Sequence, residues 1–145
     1  MEAFPRAALD EIARNVSAAK IEAFAELPST SRHTKELVDE IAATLPYVAA
    51  AQRQTAGRGR GDNAWHAGDG ALTFTAVFDE ATLPFPLSRW PQASLITAVA
   101  VAEALETFVA DHDIYVKWPN DIYCQGRKLC GILLERTETP RPMLH

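Results

Sequence analysis

Gln54-Thr55-Ala56-Gly57-Arg58-Gly59-Arg60-Gly61 alternates glycine with arginine directly after an apolar run, Tyr47 to Gln52, that reads as a short buried strand. Five of the seven glycines of the chain fall between Gly57 and Gly70, so backbone freedom is concentrated in one loop. Glycine lets backbone N–H groups approach a ligand closely and reach positive φ. Arginine adds a permanent charge and a planar fork suited to carboxylate or phosphate. The segment lacks the Gly-Lys-Ser/Thr ending of a P-loop. Taken alone, the pattern is moderately specific, since a solvated polar loop or a stub of disordered RNA-binding repeat has a similar composition.

Working outward from the loop gives the layout. Before it, residues 8 to 20 place Leu9, Ile12 and Val16 at helical spacing, and Ile21 to Glu26 suits a strand. Pro28-Ser29-Thr30-Ser31 then sets a breaker and good N-cap residues ahead of a predicted helix from Arg32 to Thr44. After the loop, Leu72 to Phe78 alternates as a half-buried strand, and Pro84, Pro86 and Pro91 mark a connection. A core helix is predicted over Gln92–Asp111, with Leu95, Val99, Ala102, Leu105 and Val109 on one side. Ile114 to Trp118 reads as a strand ended by Pro119, followed by a hairpin of Asp121–Cys124 with Lys128–Glu135. The order α, β, α, β, β, α, β, β, β predicts an α/β (α+β) fold, a mixed sheet with packed helices.

The bulk numbers exclude several classes. At 145 residues and 48% hydrophobic composition, the chain can bury a sizeable core. A net charge of −5 and a pI near 5.3 oppose general attraction to nucleic acid or an anionic membrane, so any anion site must be local. The start of the chain carries Glu2, Asp10 and Glu11 and has no apolar signal core, and Leu95 to Ala102 is far shorter than the roughly 20 residues of a membrane span. A soluble, cytoplasmic protein with no membrane partner is expected. In the hairpin, a two-residue loop pairs Cys124 with Arg127 and a four-residue loop pairs it with Leu129; neither predicts a disulfide to Cys130. No His or Cys lies at zinc-ligand spacing, so no metal site is predicted.

Lys117-Trp118-Pro119-Asn120-Asp121 puts one lysine at a strand end beside a rigid turn, a pattern that a surface lysine also satisfies. The combination is more specific. Gln54 to Arg60, then Trp65, then Lys117 to Asp121, then Gly126-Arg127-Lys128-Leu129-Cys130-Gly131-Ile132-Leu133-Leu134-Glu135 resembles biotin protein ligases, in order, from about Ile21 to Glu135. The resemblance implies the catalytic fold shared by biotin and lipoate ligases: residues 21–145 as a partial catalytic domain behind a helical extension, residues 1–20. It also implies ATP-dependent activation of biotin to biotinyl-5′-AMP, with Mg²⁺, and transfer of the biotinyl group to a lysine of a biotin carboxyl carrier domain.

By the same resemblance, Ser29, Thr30, Ser31, Gln54, Arg58, Gly59, Arg60 and Lys117 are the expected biotin contacts. Gly57, Arg58, Arg60, Trp65 and Asn120 are expected on the nucleotide side, and Lys117 and Arg60 as catalytic charges. That chemistry has a physical reason: a carboxylate and a phosphate are both anionic, so positive charge must be gathered where they meet. A mixed anhydride is prone to hydrolysis, so the loop from Arg53 to Gly70 is expected to act as a lid, mobile without ligand and closed over it.

Three features depart from the family pattern. Ser31 stands where the Ser-Thr-Asn element has asparagine, and Gly61-Asp62-Asn63-Ala64-Trp65 is less basic than many relatives. Arg136 to His145 ends where family members continue, so the domain is expected to be truncated at its C-terminal side, without part of the adenine site. The N-terminus lacks room for a DNA-reading winged helix, so no DNA role is expected, while a homodimer is left open. The rival readings are a lipoate-type acyl ligase and a catalytically incomplete biotin-binding fragment.

Overall fold

The computed structural model describes residues 6–15, 20–109 and 113–145. It divides into two compact units, one built from residues up to Leu83 together with Glu135–His145, the other from Pro84–Leu134.

In the first unit, α1 (Arg6–Asn15) leads to β1 (Lys20–Leu27), α2 (Thr30–Glu36), α3 (Val38–Ile41), β2 (Tyr47–Gln54) and β3 (Thr73–Asp79). β1 and β2 run parallel, with Leu27 opposite Gln54, and α2 and α3 form the crossover that a parallel pair requires. β3 pairs antiparallel with β2. The expected helix over 32–44 is corrected: it begins at Thr30 and breaks at Leu37, whose φ of −98° and ψ of 12° leave the helical region, before α3 and a 3₁₀ turn to Thr44. The helix expected over 8–20 is present over Arg6–Asn15 with Ile12 half exposed, while residues 16–19 lie outside the described residues.

Arg136–His145, for which the sequence suggested no particular element, forms two short strands, β7 (Arg136–Thr137) and β8 (Met143–Leu144). They extend the first unit to a five-stranded mixed sheet in the order β1-β2-β3-β8-β7. Its core gathers Ile41, Tyr47, Ala49, Val77 and Met143, with Phe24, Leu37, Val38 and Leu45 packed on it. The alanine run Ala49-Ala50-Ala51 is buried along β2, and Thr34 of α2 is buried with it. Tyr47, fully buried, donates its hydroxyl to Glu22 Oε2 at 2.5 Å, and burial, reinforced by this bond and by the Glu22 charge, pushes the phenol well above its ordinary pKa.

The second unit holds α4 (Trp90–Glu106) and the antiparallel sheet β4 (Ile114–Lys117), β5 (Asp121–Cys124), β6 (Arg127–Gly131). Pro91, expected in the connection, sits in the first turn of α4, where a missing N–H costs nothing. The helix ends at Glu106, so Val109 lies beyond it, and residues 110–112 lie outside the described residues. The buried stripe is Ala98 and Ala102, with Val101 and Leu105 beside them, against Ile122. Leu95 and Val99, expected in the core, are 37% and 43% exposed. Small residues let the helix approach the sheet closely, which rotates the bulkier side chains outward. The hairpin turns on two residues, Gln125 and Gly126, both at positive φ, and pairs Cys124 with Arg127. Both cysteines are free, and burial pushes the Cys130 thiol up. No helix among the described residues is long and apolar enough to cross a membrane.

His145, 5% exposed, lies between Thr34 Oγ1 and Thr137 Oγ1, each 3.0 Å from a ring nitrogen. Burial, reinforced by the charge of Lys35 and opposed by Glu135, lowers its pKa from 6.5 to about 4. Above pH 6.5 the ring is neutral in both folded and unfolded chains; between 6.5 and 4 only the unfolded chain takes up the proton, so stability falls as pH falls through that window. Urea unfolding at pH 7.5 and at pH 4.5 is expected to show a loss attributable to this ring of at most ~3 kcal/mol, and His145→Gln is expected to flatten that part of the profile. An equally steep profile in the variant would exclude His145 as its source.

Candidate functional site

Because β1 and β2 are parallel and in register, the end of β1 delivers Ser29 and Thr30 beside the end of β2, where Gln54 stands. Thr55 N–H donates to Leu27 O at 3.0 Å and Ala56 N–H to Pro28 O at 2.8 Å, carrying the pairing two residues past the strand. Ser29, 2% exposed, caps α2 by accepting from Arg32 N–H. Thr30 donates twice to the Gln54 amide oxygen, from its backbone N–H at 2.7 Å and from its hydroxyl at 3.1 Å. The Thr30 hydroxyl in turn accepts from Thr75 Oγ1 at 2.9 Å. A backbone N–H can only donate, so the Gln54 atom facing Thr30 is the oxygen, and both of its lone pairs are used. The Gln54 amide NH₂ is thereby fixed in direction as a donor pair.

The glycine-rich segment forms a small hairpin. Trp65 N–H donates to Gly57 O at 2.9 Å and Gly59 N–H to Asn63 O at 2.7 Å, with Arg58 and Ala64 bridged between them. The Asn63 side chain donates to Arg60 O, and Gly61 takes φ +64° at the tip. At Gly57 an added Cβ would fall 2.5 Å from Trp65 O, so only glycine fits. An open concavity of about 360 Å³ is lined by Ala56, Gly57, Arg58, Gly61, Asp62, Asn63 and Ala64.

The two arginines differ. Arg58 forks onto Glu135, Nη2 to Oε1 at 3.1 Å and Nη1 to Oε2 at 3.2 Å. Arg60 is exposed, and no described side chain forms a hydrogen bond or ion pair with its guanidinium. Glu135 also accepts from Ser31 Oγ at 2.5 Å and pairs with Lys35 Nζ at 2.6 Å. Burial pushes its carboxyl up, but the bonds from Lys35 and Ser31 and the charges of Lys35 and Arg58 outweigh burial and hold it below 4.5.

Ser29, Thr30, Ser31, Gln54, Gly57, Arg58, Gly59, Arg60 and Trp65 thus share the first unit, whereas Lys117 and Asn120 belong to the second. There Lys117, exposed at the end of β4, places Nζ 3.3 Å from Tyr123 Oη and 5.0 Å from that ring's centre. Its register partner Asp121 is paired with Lys128 at 2.7 Å. Asn120 ties the turn after β4 to the chain beyond β6: its side chain donates to Ile132 O at 2.7 Å and its carbonyl accepts from Ile132 N–H at 2.9 Å. Among the described residues no three His, Cys, Asp or Glu side chains converge on a metal position.

A model of the biotin/lipoate A/B protein ligase family matches residues 23–144. The chain belongs to that family. It is 38% identical over 109 residues to the bifunctional ligase/repressor BirA of Bacillus subtilis (strain 168), a match covering 75% of this chain and 32% of the relative. The human biotin--protein ligase is 34% identical over 122 residues, 81% of this chain and 17% of the relative. Among solved structures, the biotin protein ligase of Aquifex aeolicus in complex with biotin and ATP is 28% identical with a TM-score of 0.67, over 86% of this chain and 49% of that one. The chain spans a third or less of the length of these two curated relatives.

For a member of the biotin/lipoate ligase family, the residues that sequence reasoning missed are Glu135, Lys35 and Tyr123. Glu135 closes the Gly131–Glu135 run, but its partners Ser31 and Arg58 lie 104 and 77 positions away, beyond any local pattern. Thr75, buried in β3, was read only as a strand residue and instead anchors Thr30. Thr30→Val removes the hydroxyl that both donates to Gln54 and accepts from Thr75, and is expected to lower unfolding free energy by about 1–3 kcal/mol. Urea titration checks this, and a midpoint unchanged at constant slope would show that the hydroxyl chain is not structural.

Proposed function

We propose that this chain carries the biotin-handling part of a biotin–protein ligase, which activates biotin with ATP to biotinyl-5′-AMP and passes the biotinyl group to a lysine of a biotin carboxyl carrier protein. The observation that carries the reading is the Gln54 amide, locked by Thr30 and Thr75, standing at the base of a hairpin that holds two arginines. A cyclic urea offers one carbonyl acceptor, and the fixed Gln54 NH₂ is a donor suited to it. The same hairpin brings the charge that a carboxylate or phosphate needs. The name of the human relative, biotin--protein ligase, favours biotin over lipoate.

In the first step a carboxylate oxygen of biotin attacks the α-phosphorus of ATP and pyrophosphate leaves; Arg60 and Lys117 are each proposed as a source of the positive charge that this step requires. Both are exposed and free of carboxylate partners among the described residues, so their charge is available to ligand. Mg²⁺ would enter with the nucleotide's phosphates, as hard divalent cations do at phosphoryl-transfer sites. In the second step the carrier lysine, arriving as the neutral amine, attacks the acyl carbonyl and AMP leaves. Gly57, Arg58, Arg60, Trp65 and Asn120 are proposed on the nucleotide side, and Gly59 among the biotin contacts. The fraction of the relatives' length covered favours a second reading, in which these residues bind biotin without completing adenylation by themselves. No DNA or membrane role is proposed for them; a cytoplasmic setting and an optional homodimer complete the reading.

Biotin-dependent exchange of pyrophosphate into ATP tests the activity, with lipoate as the control acid. Lys117→Ala is expected to lower exchange at least 100-fold with an unchanged far-ultraviolet spectrum; near wild-type exchange would reduce Lys117 to a surface lysine. Arg60→Gly is expected to release the acyl-adenylate about 10- to 150-fold faster, the equivalent of one charge-assisted contact worth roughly 1.5–3 kcal/mol. Labelling of lysines on an added bystander protein reads that release, and labelling still confined to the carrier would remove Arg60 from the retaining role.

A further inference from the structure

The Glu135 carboxylate has four donors on two oxygens: Lys35 and one arm of Arg58 on Oε1, Ser31 and the other arm of Arg58 on Oε2. Those donors fill the lone-pair positions a carboxylate offers, so Glu135 has no capacity left for a proton or a ligand. Two cations face one anion, leaving the cluster with a surplus positive charge. The bidentate fork uses one edge of the Arg58 guanidinium and leaves its Nε side unengaged.

The same cluster spans three separate pieces of the first unit. Ser31 and Lys35 lie on α2, Arg58 on the first arm of the glycine hairpin, and Glu135 at the point where the chain enters β7. Glu135 is itself fixed by a two-way backbone pair with His145, its N–H to His145 O at 3.0 Å and its carbonyl from His145 N–H at 2.8 Å. Arg58 is therefore tied to the sheet, whereas the guanidinium of Arg60, two residues on, has no hydrogen-bond or ion-pair partner among the described side chains.

We propose that Glu135 is a positioning residue that anchors Arg58, dividing the hairpin into a fixed post at Arg58 and a free grip at Arg60, and so presets the hairpin against the Ser29–Ser31 segment before ligand arrives. On the biotin-ligase reading, on which the kinetic half of this proposal rests, the anchor sets ligand affinity and leaves the chemical step to other groups. Ser31 fits the scheme: its hydroxyl is spent on Glu135, a role that the amide of asparagine would fill differently. A surplus positive charge beside a pre-aimed arginine edge also gives an incoming carboxylate or phosphate a partner without displacing Glu135.

The test is amide exchange on the ligand-free chain with Glu135→Gln, which keeps the size and the acceptor for Ser31 but removes the charge. Exchange at Gly59 and Trp65, whose N–H groups close the hairpin, is expected to quicken about tenfold. Arg58→Met, a change at an exposed side chain that spares the core, is expected to give the same acceleration, and the double variant no more than either single one. Steady-state kinetics on Glu135→Gln is expected to show the biotin KM raised about tenfold with kcat within twofold. Unchanged exchange in both single variants, or additive effects in the double, overturns the anchor. If exchange quickens as expected while no variant, nor the parent chain, turns over biotin, the anchor stands and the ligase reading falls. A fall in kcat at constant KM overturns the positioning role.

Discussion

A carbonyl oxygen that receives two donors inside a protein cannot rotate away without stranding both, and the Gln54 side chain is held in this way by Thr30. The constraint is inherited from the sheet. Only because β1 and β2 are parallel and in register does the chain leaving β1 turn into α2 beside the end of β2. Thr75, reaching from β3, adds a third strand to the same small network. The placement agrees with the general behaviour of open α/β sheets, whose ligands lie outside the carboxyl ends of parallel strands. The floor of the site is therefore a consequence of strand pairing rather than of loop conformation.

Within each unit, charge is divided between residues that are spent and residues that are available. Arg58, Lys35 and Ser31 are consumed by Glu135, whose carboxyl they hold below its ordinary range. Arg60 and Lys117 have no carboxylate partner among the described residues, although they belong to different units. In a chain of net charge −5, such unneutralised cations are local exceptions to the overall field, which is what selective recognition of a small anion requires.

Legibility in the sequence followed the distance over which information acts. Gln54 and the Gly57–Gly61 stretch were readable because strand, glycine and arginine stand next to one another, and the Gln125-Gly126 turn was readable because two residues at positive φ suit a two-residue hairpin. The helix over 32–44 was read as continuous because its apolar spacing survives the break at Leu37, a deviation of one residue that periodicity does not register. The buried face of α4 was misplaced because reading by bulk favours Leu95 and Val99, whereas close packing on β5 selects Ala98 and Ala102. Glu135 and the strands β7 and β8 were out of reach for another reason: their partners are Ser31, Arg58 and β3, far away in the chain.

The central claim is that the fixed Gln54 amide makes this chain a receptor for a cyclic urea. Calorimetric titration of the chain with biotin, and separately with lipoate, tests it most directly. The account predicts saturable one-to-one binding of biotin, none of lipoate, and loss of the biotin signal in Gln54→Ala while the far-ultraviolet spectrum is kept. Binding of lipoate in preference to biotin, or biotin bound as tightly by Gln54→Ala as by the parent chain, would contradict it.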